Sequence, residues 1–170
     1  MRYIDNFGEL LNQTRIMLPD ITFHEDPDYI DSINETAQLY STIKFLFCPI
    51  GSNVFKNVFM RPKSVIVAAI GDSTVVEIIT TCVCTGIYFL SMVSPGVSHT
   101  GKDFSISIPV ALKAIKLGVA CSIEGKWKYD SAFYDCEKNQ ICIWLYSALL
   151  QQGWFQEYQP PPKKKLKNEN

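Results

Sequence analysis

Three stretches of this chain are apolar with almost no alternation, and each gives way within a few residues to a turn and then to a helical pattern. They are Phe45-Leu46-Phe47-Cys48, residues 64–70 and residues 87–93. A strand with one wet face alternates apolar and polar residues, so an unbroken run marks a strand covered on both faces. Helical patterns between such runs supply the cover, and right-handed crossovers then make the strands parallel. The expected fold is α/β and Rossmann-like, a largely parallel sheet with helices on both faces. At 170 residues there is room for one full hydrophobic core and not for two.

The remaining elements follow from caps and stripes. Asn6-Phe7-Gly8-Glu9 has the form of a capping box, and Phe7, Leu10, Leu11 and Leu18 make an apolar stripe that Pro19 ends. A short strand is expected at residues 21–23. Ser32-Ile33-Asn34-Glu35 is a second box, opening a helix with Ile30, Ile33, Ala37 and Tyr40 on one stripe and its end near Thr42. A short helix is expected over residues 53–59, stopped by Pro62. Asp72 or Ser73 is placed to cap a helix running to about Cys82. Pro109 suits a first turn, Ala111, Leu112 and Ile115 share a face, and Gly118 reads as the stop. A last helix is expected over residues 140–152, with Ile141, Leu145, Ala148 and Leu149 together. The division is then a Rossmann-like domain over residues 1–125, a helical extension packed on it over 126–155, and a disordered tail over 156–170. That tail holds Pro160-Pro161-Pro162 and Lys163-Lys164-Lys165.

Charge narrows the partners. Sixteen Lys and Arg against 17 Asp and Glu leave a net −1, so no general field draws nucleic acid and any anion site must be local. Residues 74–93 are nearly uncharged, yet Glu77 and Gly86 divide them into a helix and a strand, and no membrane span is expected. Met1 is followed by Arg2-Tyr3-Ile4-Asp5, without the apolar core of a secretory signal. The six cysteines, Cys48, Cys82, Cys84, Cys121, Cys136 and Cys142, lack zinc-site spacing, and no metal is expected. Cys121, Cys136 and Cys142 could supply one disulfide in an oxidising compartment, with buried free thiols as the alternative.

Ligands of open α/β sheets collect beyond the carboxyl ends of the strands, which places the loops after Cys48 and Ile70 side by side. In the first, Gly51 permits a tight turn, Ser52 and Asn53 offer donors, and the free N–H groups of the next helix face a phosphate, with Lys56 and Lys63 adding charge. Helix capping by Ser52 or Asn53 accounts for the same residues. In the second loop Asp72, Ser73 and Thr74 could meet a ribose, and capping again serves as well. Glu77 reads as a partly buried helix residue and His99 as an idle surface histidine. No catalytic residue is assigned.

The segment Pro49-Ile50-Gly51-Ser52-Asn53-Val54-Phe55-Lys56-Asn57-Val58-Phe59-Met60-Arg61-Pro62-Lys63-Ser64-Val65 resembles the hallmark of family 61 glycosyltransferases, roughly P-H-G-A-G-L-T-N-x-x-F-M-P-P-G-S-V. It keeps the proline, the first glycine, Phe59-Met60, Pro62 and Ser64-Val65. Arg2, Ile4, Asn6, Glu9-Leu10 and Ser32-x-x-Glu35 resemble the family's preceding pattern, and Asp103-Phe104-Ser105-Ile106 is a looser match. The family's histidine is Ile50 here, its second glycine Asn53, its Thr-Asn pair Phe55-Lys56, and Ala68-Ala69 stands where an acidic residue closes the next strand.

The resemblance implies a GT-B architecture, of which this chain looks like the C-terminal, nucleotide-sugar-binding half, with the acceptor and the usual base brought by an N-terminal domain. It implies no cofactor beyond the nucleotide-sugar as substrate and a glycan or glycoprotein acceptor as second partner, while the division of residues 74–93 leaves no membrane span expected within this chain. A Golgi or ER lumen location would follow from an upstream signal anchor, and a cytoplasmic one otherwise. A fragment or degenerate form of such an enzyme, and a non-catalytic α/β interaction module that retained the fold, both fit these residues.

Overall fold

The computed structural model describes residues 4–25, 30, 32–70, 76–93, 104–126 and 140–144. In chain order the elements are α1 (Phe7–Met17), α2 (Ile33–Thr42), β1 (Phe45–Pro49), a 3₁₀ helix (Ser52–Phe59), β2 (Val65–Ile70), α3 (Val76–Cys84), β3 (Tyr88–Val93), α4 (Ile108–Glu124) and β4 (Ile141–Trp144). The strands lie in the order β1-β2-β3-β4, the first three parallel and β4 antiparallel to β3. This is the α/β, Rossmann-like, mostly parallel sheet that the apolar runs predict.

The pleat of β2 divides the core into two. Val65, Val67 and Ala69 point to the face covered by α4, where Leu90 and Met92 of β3 meet Ala111, Ala114, Ile115 and Val119. Ile66, Ala68 and Ile70 point the other way, with Phe89, onto Val54 of the 3₁₀ helix, Ile78, Ile79 and Cys82 of α3, and Tyr40 of α2. All six residues of β2 are buried, as a strand covered on both faces requires. The five of β1 are only half-buried, because among the described residues β1 is an edge strand and full cover does not reach it.

Several local readings give way to tertiary contacts. Residues 21–23 form no strand; Ile21 and Phe23 pack against the α4-side core, Phe23 edge-on to Phe45 with ring centroids 6.3 Å apart, while Ile4 forms a parallel bridge with Phe104. Gly118 does not stop α4. The helix runs on to Glu124 and is capped by Gly125 in the left-handed region (φ 66°), whose N–H donates to the Cys121 carbonyl at 2.8 Å. Gly118 is instead the point of closest approach to the sheet, where a Cβ would lie 2.7 Å from the Phe45 ring and 2.8 Å from Val67 Cγ2.

Residues 141–144 are a strand and not the start of a helix, paired from Met92↔Ile141 to Phe89↔Trp144. A short apolar run fits either period, and the open edge of β3 decides it by offering a ladder of backbone partners. Cys142 in β4 is disulfide-bonded, while Cys48, Cys82, Cys84 and Cys121 are not in disulfides. The one remaining cysteine of the sequence, Cys136, lies outside the described residues, as do the tail and the rest of the expected last helix. Among the described residues no helix is long and apolar enough to cross a membrane.

Candidate functional site

The strand ends that lead into the two loops expected to be neighbours are held side by side by the sheet, while residues 71–75 of the second loop lie outside the described residues. β1 and β2 are in register from Phe45↔Val65 to Pro49↔Ala69, and the ladder is extended where the Ile50 N–H donates to the Ala69 carbonyl at 2.9 Å. The chain therefore leaves β1 at the carboxyl edge of the sheet, next to the exit of β2, and turns at once into the 3₁₀ helix.

The burial pattern of that helix has a period of three. Val54, Asn57 and Met60 are buried, at 0%, 0% and 5% exposure, while Phe55 and Val58 stand 43% and 53% exposed. Residues three apart stack on one side of a 3₁₀ helix, so this spacing presents a single inward stripe, which in an α-helix would drift by about 60° at each step. The segment falls where a short helix is expected, in a tighter form. Gly51 precedes it in an extended conformation (φ 170°, ψ −172°), and a Cβ there would meet nothing within 4 Å. The tight turn assigned to Gly51 is thus not one that this backbone reserves for glycine. Ser52 and Asn53 open the helix, and their backbone N–H groups are among those with no partner inside it. Only the backbone of these two residues is described.

Lys56 lies over the Tyr40 ring at 5.2 Å, a cation–π contact that draws its ammonium toward α2. Lys63 is not near Gly51. It precedes β2, whereas Gly51 follows the parallel β1, so the two residues stand at opposite ends of the sheet and Lys63 adds no charge to this loop. Asp72, Ser73, Thr74 and His99 lie outside the described residues. Glu77, expected to be partly buried, is exposed in the first turn of α3.

Asn57 went unnoticed in the sequence because a lone asparagine among Lys56, Val58 and a charged flank reads as surface. Its place in the period-three stripe buries it. The side-chain Nδ2 donates to Cys82 Sγ at 2.8 Å, and Oδ1 has no partner among the described atoms. Burial pushes the Cys82 thiol up to about 12, the Asn57 hydrogen bond pulling the other way, so sulfur stays protonated at neutral pH. Ile50, where the hallmark segment has histidine, is 3% exposed and belongs to the α3-side core.

Neither a curated protein nor a solved structure matches the chain significantly. The family model described as Glycosyltransferase 61 matches residues 1–67, a stretch that runs from before α1 through the carboxyl-edge loop and into β2, and the rest of the chain lies outside it. Over those residues the chain carries the sequence pattern of the family 61 glycosyltransferases.

Proposed function

We propose that this chain is a glycosyltransferase-like domain that binds a nucleotide-sugar donor at the loops following β1 and β2. The observation that carries the reading is that the family-matched segment enters a helix at the carboxyl edge of the sheet, beside the end of β2. Open α/β sheets take their ligands at that edge. Main-chain N–H groups of Gly51, Ser52 and Asn53 would receive the diphosphate, with Asp72, Ser73 and Thr74 toward the ribose. As the glycosyl bond breaks, negative charge grows on the leaving diphosphate, and amide dipoles fixed by the fold stabilise it without reorganising. Lys56 would add charge only after leaving the Tyr40 ring. The acceptor, a glycan or glycoprotein, and the general base are assigned to a separate domain.

Isothermal calorimetry and amide chemical-shift mapping of the full chain with uridine and guanosine diphosphate-sugars test this. Millimolar or tighter binding that perturbs residues 50–54 is expected; no binding of any donor at millimolar concentration would overturn it. The burial of Ile50 and the engagement of Lys56 with Tyr40 favour a second reading, a non-catalytic interaction module that kept the fold. A Lys56→Asn variant separates the two: a gain in nucleotide affinity supports a decayed donor site, and unchanged, absent binding supports the module.

A further inference from the structure

A cavity of about 250 Å³ lies at the amino edge of the sheet, far from Gly51, where the chain enters β1 and β2 and where α2 and α4 end. Lys44, Arg61 and Lys63 line it, with Ser41, Thr42 and Ser122 among the other lining residues, and none of the described lining residues carries a carboxylate. Among the described residues none of the three cations makes an ion pair. The volume corresponds to about eight waters, enough for one oxyanion and a small group attached to it.

The lining hydroxyls are already committed. Ser41, Thr42 and Ser122 donate to the carbonyls of Gln38, Leu39 and Val119 at 2.7, 2.7 and 2.8 Å. These bonds, with that of Ser64 to the Ile43 carbonyl at 3.1 Å, engage carbonyls near the ends of α2 and α4, so the ammonium and guanidinium groups are the charged donors left for a ligand. The backbone makes a further point. Lys63 has φ 69°, in the left-handed region that disfavours any residue with a Cβ, and its N–H is held there by the Gly86 carbonyl at 2.8 Å. The hallmark segment has glycine at this place. A strained position thus adds a third exposed cation to the residues that line the cavity.

We propose that this cavity binds a tetrahedral oxyanion, a phosphate or sulfate group, through Lys44, Arg61 and Lys63. Arg61 offers a planar fork suited to two oxygens at once, and the lysines supply point charges around it. The competing role for these cations is compensation of the α2 and α4 carboxyl ends, since neither helix has a basic residue in its last turn. The site is independent of the donor loop, which lies at the other end of the strands.

The test is amide chemical-shift titration of the full chain with sodium phosphate, sodium sulfate and a sulfated disaccharide, each against sodium chloride at equal ionic strength. Saturable shifts at residues 41–44, 61–64 and 122–125 are expected with the oxyanions and not with chloride. An Arg61→Gln, Lys63→Gly double variant should bind at least about tenfold more weakly. Lys63→Gly also relieves the left-handed strain, so its melting temperature without anion should stay level or rise, which keeps loss of binding distinct from loss of fold. A Lys116→Gln variant on the exposed side of α4 should bind as the parent does. Tighter binding of the disaccharide than of free sulfate would identify a glycan-borne group, and equal binding a free anion. Chloride acting as well as phosphate, shifts confined to residues 50–54, or binding that survives the double substitution would each overturn the proposal and leave helix-end compensation as the role of the cations.

Discussion

Asn6 illustrates how a residue's partner is chosen by the fold. Its position before α1 and the Glu9 three places on predict a reciprocal cap, yet its side chain makes no cap bond. Nδ2 donates to the Ile106 carbonyl at 2.8 Å, and Oδ1 accepts from the Ile106 N–H at 3.0 Å. Glu9 accepts from Gln13 instead. The amide thus bridges the start of α1 to the strand-like approach to α4, satisfying both backbone groups of a buried residue 100 positions away. Asn6→Ala leaves both without that partner and should cost about 1–3 kcal/mol in urea unfolding. Asn6→Asp, which keeps only the acceptor, should fall between. Ser32 shows the opposite case: its hydroxyl accepts from the N–H groups of Asn34 and Glu35 at 3.2 and 3.4 Å, as its local pattern predicts.

At the scale of elements, α4 is the one whose sequence misleads most. Gly118 looks like a terminus because glycine weakens a helix interior by about 1 kcal/mol relative to alanine. Here it is the residue that lets α4 lie close to β1 and β2. Gly118→Ala should therefore destabilise the protein by about 1 kcal/mol or more despite its better helix propensity, because the new methyl meets Val67, a stiff β-branched side chain in a fully buried strand. Pairing it with Phe45→Leu, which removes the nearer contact, should recover part of the loss in the same denaturation experiment. The 3₁₀ helix carries a related lesson: a short helix is legible over residues 53–59, but only its tighter winding sets Asn57 in one buried line with Val54 and Met60.

For the whole molecule, burial of thiols on both sides of the sheet couples stability to alkaline pH. Burial pushes Cys82 and Cys121 up to about 12 from an ordinary 9.0, with Asn57 opposing the shift at Cys82 and Glu124 adding to it at Cys121. Tyr88, whose hydroxyl donates to the Gly125 carbonyl, is raised in the same direction, first by burial and then by Cys121. Below pH 9.0 both thiols are protonated whether the chain is folded or not, and their contribution is complete. Between 9.0 and about 12 the unfolded chain ionises and the folded one resists, so stability falls as pH rises. Urea midpoints should decline steadily from pH 9 to 11, and a Cys82→Ala, Cys121→Ala variant, less stable at pH 7, should decline less steeply.

What the chain's own letters determined is the layered α/β plan, the limits of β1, β2 and β3, the cap of α2 and the place where the chain turns at the carboxyl edge. Each depends on burial on two faces or on groups a few residues apart, and both leave a local pattern. Tertiary structure decided which strand edge took residues 141–144, why Gly118 is bare, where Asn6 bonds, that Asn57 is buried, and that Lys63 stands with Lys44 and Arg61 and not with Gly51. Those outcomes depend on which distant backbones come within contact distance, and a parallel crossover puts residues close in sequence at opposite ends of the sheet.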